Sequence, residues 1–96
     1  MAVNRARGEA ALFIDGQERR LCLTLGALAE LETALKAPGL DALAVRLRTL
    51  SAIDLVLVLG ALLRGGGEPD ADRLSVRATD PAAIANAIAD CFASLA

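Results

Sequence analysis

Residues Glu9–Asp15 alternate, with Ala10, Leu12 and Ile14 pointing one way and Glu9, Ala11 and Phe13 the other. Residues Arg19–Leu25 alternate too, setting Leu21, Leu23 and Leu25 against Arg20, Cys22 and Thr24. A period of two is the mark of a strand. Asp15-Gly16 lies between the runs, and Asp-Gly in that position predicts a hairpin with a type I′ turn, whose two central residues need positive φ. Such a hairpin puts Ala10, Leu12 and Ile14 on one face with Leu21, Leu23 and Leu25. A two-stranded hairpin is marginal in water, so that face must be covered.

The period then becomes helical. Leu28, Leu31 and Leu35 predict a helix over Gly26–Lys36, with Thr24 as its N-cap and Pro38-Gly39 ending it. Leu40, Leu43, Leu47 and Leu50 predict a second, short helix. Ser51-Ala-Ile-Asp54 reads as a capping box with Asp in place of the usual Glu, opening a third helix over Ala52–Arg64. Gly65-Gly66-Gly67 reads as a helix stop followed by a flexible loop. Glu68–Thr79 is polar and weakly periodic, with a short helix expected near Ala71–Arg77. Asp80-Pro81 is an N-cap and first-turn pair. The last helix, Pro81–Leu95, carries Ile84, Ile88, Cys91, Phe92 and Leu95 on one stripe. The fold class is α+β: an N-terminal hairpin (9–25) followed by a helical part (26–96) of four to five short helices, in a single domain spanning 1–96.

The third helix differs from the others. Ile53, Leu55, Val56, Leu57, Val58, Leu59, Leu62 and Leu63 leave it no polar face. Such a helix is buried on most sides, either as the centre of a core or with one face against a partner. Leu55, Val56, Leu59 and Leu63, with Ile84, Ile88 and Phe92 of the last helix, form the candidate partner-binding surface. Replacing Leu57 by Asp discriminates: a core helix unfolds, a partner-facing helix loses binding. The hairpin also offers an edge for strand-mediated dimerisation.

Composition narrows the chemistry. The 96 residues include no His, Trp or Tyr, two Phe and one Lys, with a net charge of -2. Without histidine there is no ordinary general base, and no nucleophilic serine can be activated by one. Ser51 is explained as a cap, and Asp70 with Asp72 as a helix start. Arg64-Gly-Gly-Gly67 lacks the Gly-Lys-Ser/Thr ending and the preceding strand of a phosphate loop. No catalytic, cofactor or metal residue is assigned, and the chain is expected not to be an enzyme. Arg5, Arg7, Arg19 and Arg20 are too few to hold nucleic acid and read as solvated charges. Cys22 and Cys91 show no CxxC spacing and read as small buried hydrophobes rather than a disulfide or zinc site. The longest apolar run, Leu55–Leu63, falls short of the ~20 residues that span a bilayer. No membrane or small-molecule partner is expected, and the location is cytoplasmic.

The run Arg7-Gly-Glu-Ala-Ala-Leu-Phe-Ile-Asp-Gly16, followed by Leu21-Cys-Leu-Thr-Leu-Gly-Ala-Leu-Ala-Glu-Leu-Glu32, resembles the small tail proteins of gene transfer agents and related prophages. Ser51–Gly66 and the closing Ala-rich helix fit as well, so the resemblance covers nearly the whole chain. It implies a part in building a phage-like tail. The first reading is a tail assembly chaperone that binds the tape measure protein and assists tail tube assembly. The alternative is a structural tail tube subunit, carried in the particle and self-associating as a homo-oligomer. Tube subunits are mainly sheet closed into rings, whereas this chain offers one hairpin and about four helices. An unrelated small helical adaptor is the third reading. A chaperone gripping an apolar, helical client would present an apolar groove between helices.

Overall fold

In a computed structural model, which describes residues 4, 7–68, 70–71 and 78–93, the chain opens with the expected hairpin. Strands β1 (Glu9–Ile14) and β2 (Gln17–Cys22) pair antiparallel, with Ala10 opposite Leu21, Leu12 opposite Arg19 and Ile14 opposite Gln17. Asp15 and Gly16 have φ of 56° and 74°, the two positive values that a type I′ turn requires. Among the described residues four helices follow: α1 (Leu25–Ala34), α2 (Leu40–Arg46), α3 (Ala52–Gly65) and α4 (Pro81–Phe92), with a 3-10 turn at Leu47–Thr49. None is long and apolar enough to cross a membrane.

The core lies between the hairpin's inner face and the helices. Ala10, Leu12, Ile14 and Leu21 meet Leu31 of α1 and Leu35 just after it, Leu43 of α2, Val58, Leu59, Leu62 and Leu63 of α3, and Ile84, Ile88 and Cys91 of α4. Helix α3 packs on β2 and α1, and α4 packs on β1. The caps are those the sequence specifies. Thr24 accepts from the Ala27 N–H at 3.1 Å, and Asp80 accepts from that of Ala82 at 3.1 Å, with Pro81 in the first turn. Ser51 and Asp54 complete the capping box reciprocally, at 3.2 and 3.0 Å.

Several expectations change. Leu25 is not on the hairpin's leucine face. The Thr24 cap starts α1 at Leu25, which is left 83% exposed. Helix α1 stops at Ala34, and Lys36 takes a φ of 54°. In the second helix only Leu43 is deeply buried, because the stripe loosens at the 3-10 turn and Leu40 lies exposed. The helix expected near Ala71–Arg77 falls mostly outside the described residues, as does Leu95 at the end of the last helix.

The triple glycine is more than a stop. A Cβ on Gly65 would fall under 3.0 Å from the Cys22 carbonyl oxygen, and one on Gly66 under 3.0 Å from that of Arg20. The end of α3 therefore presses backbone to backbone on β2. The hairpin's pairing explains why. Leu23 N–H donates to the Gly8 carbonyl at 2.8 Å, which continues the bonded pairs of the ladder. The alternate residues Arg20 and Cys22 then turn their backbone groups outward, off the free edge of β2. Gly65 and Gly66 cover that edge, and Glu68 accepts the Arg20 N–H at 2.8 Å.

Nor are the β2 arginines merely solvated. Arg20 Nη2 lies 2.7 Å from Glu9 Oε2, and Arg19 Nη1 lies 3.4 Å from Glu68 Oε2. Glu9 is buried, and its carboxyl is held below the ordinary value first by the bond from Arg20 and then by the Asn4 N–H.

Candidate interaction surface

Helix α3 is fixed at its start from two directions. Asp54 Oδ2 accepts the Ser51 N–H at 3.0 Å and lies 2.7 Å from Arg46 Nη2, tying the end of α2 to the first turn of α3. These bonds, that of Ser51 foremost, hold the Asp54 carboxyl below its ordinary value. At the other end Arg64 pairs with Glu30 of α1. Between these anchors the apolar helix turns one side to the core and the other outward.

The outward side borders an open furrow. One stretch, about 420 Å³, is lined by Leu47, Arg48, Leu50, Leu55, Ala85, Ile88, Ala89 and Phe92. It adjoins a second of about 330 Å³, lined by Ala52, Ile53, Leu55, Val56, Leu57, Thr79, Pro81 and Ile84. Leu55 lines both. The alanines at 85 and 89 keep the α4 side low, so the groove is shaped by what those side chains lack. Arg48 is the charged residue among the lining, and the rest is overwhelmingly aliphatic.

The structure brings five of the seven predicted surface residues to this furrow. Leu55, Val56 and Phe92 are half-buried on its walls, and Ile84 and Ile88 are buried in its floor. Leu59 and Leu63 are not part of it. Both are fully buried against the hairpin and other helices, because they lie on the side of α3 that carries Val58 and Leu62. The candidate surface left out Ile53 and Leu57, which are 74% and 42% exposed on α3, although Leu57 is the position chosen to tell core from partner face. Their i, i+4 spacing sets them on one stripe, but in a helix with no polar face nothing marked that stripe as the outer one.

Fold and site together define a class: a small hairpin-and-helix protein with an aliphatic furrow open to solvent between α3 and α4. The chain belongs to the family described as phage tail tube protein, GTA-gp10, whose model matches residues 7–95. That match bears out the resemblance to gene transfer agent tail proteins and sets aside the unrelated adaptor. No curated protein matches the chain, and no solved structure does.

Proposed function

We propose that the chain is a structural subunit of a phage-like tail tube, acting by binding rather than by catalysis. It is made in the cytoplasm, enters the particle, and uses the α3/α4 furrow to seat an apolar segment of a neighbouring tail protein. The family match over residues 7–95 carries this reading. The furrow supports it, since an aliphatic groove with Ile53 and Leu57 exposed at its lip suits an amphipathic helix.

One observation favours the chaperone reading. The described residues form a two-stranded sheet with one edge already covered by Gly65, Gly66 and Glu68, which is little sheet for a ring-forming tube. A chaperone for the tape measure protein would use the same furrow on an apolar, helical client.

The test is co-expression with the neighbouring tape measure and tube proteins, followed by mass spectrometry of purified particles. Stoichiometric presence in finished tails supports the subunit. A soluble complex with the tape measure protein, and absence from particles, overturns it in favour of the chaperone. In either case Ile53→Asp and Leu57→Asp should weaken the complex without unfolding the chain.

A further inference from the structure

Helix α2 and the 3-10 turn after it carry a charge pattern beside the core residue Leu43. A groove of about 610 Å³ lies between α2 and Phe92, with Leu40, Leu43 and Leu47 in its lining. Asp41, Ala44 and Arg48 stand together along its lip. Asp41 and Ala44 stand one turn apart on α2, and Arg48 follows in the 3-10 turn, all three lining the same groove. Among the described residues neither Asp41 nor Arg48 has an ion-pair or hydrogen-bond partner, whereas neighbouring Arg46 is taken by Asp54. Leu40 beside them is 54% exposed.

We propose that this surface pairs with a second copy of the chain, the two α2 segments crossing antiparallel about a two-fold axis beside Ala44. The argument is charge complementarity. The acid and the base sit about equally far on either side of Ala44, so an antiparallel copy sets Asp41 of each chain against Arg48 of the other. The contact is isologous: one patch, used twice, closes the dimer. Ala44 at the crossing has only a methyl group, which lets the segments approach. Leu40 of each copy then covers the groove beside Leu47 and Phe92 of the other. This groove shares Leu47, Arg48 and Phe92 with the near end of the α3/α4 furrow, so the dimer covers that end and leaves the stretch beside Ile53 and Leu57 open. The pairing is read on the chain alone, with no tail protein present.

Sedimentation equilibrium of the full chain, from micromolar to millimolar concentration at low salt, tests it. A monomer–dimer equilibrium that weakens with added salt is expected, because exposed ion pairs are screened. Asp41→Arg alone and Arg48→Asp alone each disrupt both symmetric pairs and should weaken the dimer about tenfold or more. The double reversal, Asp41→Arg with Arg48→Asp, should restore the dimer to near its original strength. Circular dichroism should be unchanged throughout, since both side chains are exposed. A chain monomeric at every concentration overturns the proposal. So does a dimer indifferent to the single reversals, or one that the double reversal fails to restore.

Discussion

The backbone N–H of Arg20 donates to Glu68 Oε1 at 2.8 Å, joining residues 48 apart in sequence. The bond sits beside Gly65 and Gly66 at the end of α3, where no side chain fits against the β2 carbonyls. Gly66→Ala should therefore destabilise by the upper end of the roughly 1–3 kcal/mol typical of overpacking, or beyond, since the obstruction is backbone. Gly67→Ala meets no neighbour within 4 Å and suffers only from its φ of 79°. That strain amounts to about 1 kcal/mol. Urea unfolding of the two variants should rank them in this order, and the reverse order would contradict the close packing of α3 on β2.

Glu68 itself separates charge from hydrogen bonding. Glu68→Ala removes the acceptor and leaves the Arg20 N–H to find water at a partly covered edge, a loss of about 1–2 kcal/mol. Glu68→Gln keeps an oxygen for that N–H and gives up only the 3.4 Å ion pair with Arg19. Both side chains are largely buried but the contact is long, and it contributes about 1 kcal/mol. Thermal unfolding should therefore put Gln nearer the parent chain and Ala well below it. Equal losses would mean that the ion pair, not the edge bond, holds the loop.

Local signals made much of this architecture legible. Asp15-Gly16 fixed the turn, Ser51 and Asp54 the start of α3, and Asp80-Pro81 the start of α4, each through chemistry confined to four residues or fewer. The joint between α3 and β2 was not legible, because it depends on a strand edge more than forty residues before the glycines it needs. For the same reason the sequence presents Arg19 and Arg20 as solvated charges, with nothing to link them to Glu9 or Glu68. The furrow was half visible. Hydrophobicity nominated α3 and α4, but uniform apolarity hid which side of α3 faced outward. The candidate surface therefore includes the buried Leu59 and Leu63 and leaves out the exposed Ile53 and Leu57.

Acid should loosen the fold through two carboxyls. Glu9, bonded to Arg20 and Asn4, and Asp54, bonded to Ser51 and Arg46, both titrate below their ordinary values of 4.5 and 3.8. On acidification the unfolded chain binds protons first. The stability these groups contribute is thus fully present above about pH 4.5 and is lost as pH falls through their lowered folded values. Urea midpoints should decline over that window. Glu9→Gln should lower the midpoint at neutral pH and flatten the acid limb, and an unaltered limb would remove Glu9 from the account.

Cys91 should be chemically silent in the folded protein. Burial, with Cys22 and Asp90 nearby, pushes its thiol from 9.0 up to about 12. Both cysteines are free and buried. Since the thiolate is the reactive form, iodoacetamide at about pH 8 should modify neither residue in the native chain and both in concentrated urea. Rapid native labelling of Cys91 would mean that the end of α4 does not stay packed on the hairpin. The same shift predicts falling stability between pH 9 and 12, where the unfolded chain ionises this thiol and the folded one does not.

Helix α3 offers the sharpest contrast, because Leu57 and Leu62 lie five residues apart on one apolar helix and face opposite ways. Leu62 is fully buried, while Leu57 is 42% exposed beside the furrow. An aspartate at 62 would be a buried charge with no partner, a loss of several kcal/mol, enough to consume much of the stability of a small domain. An aspartate at 57 can reach water and should leave the circular dichroism spectrum and the urea midpoint close to those of the parent. The substitution at 57 therefore probes binding rather than folding. If Leu57→Asp unfolds the chain as Leu62→Asp does, the outer side of α3 belongs to the core and the furrow is not a surface for a neighbour. If it spares the fold and abolishes association with the tail proteins, α3 has two roles, with its inner stripe holding the hairpin and its outer stripe meeting a partner.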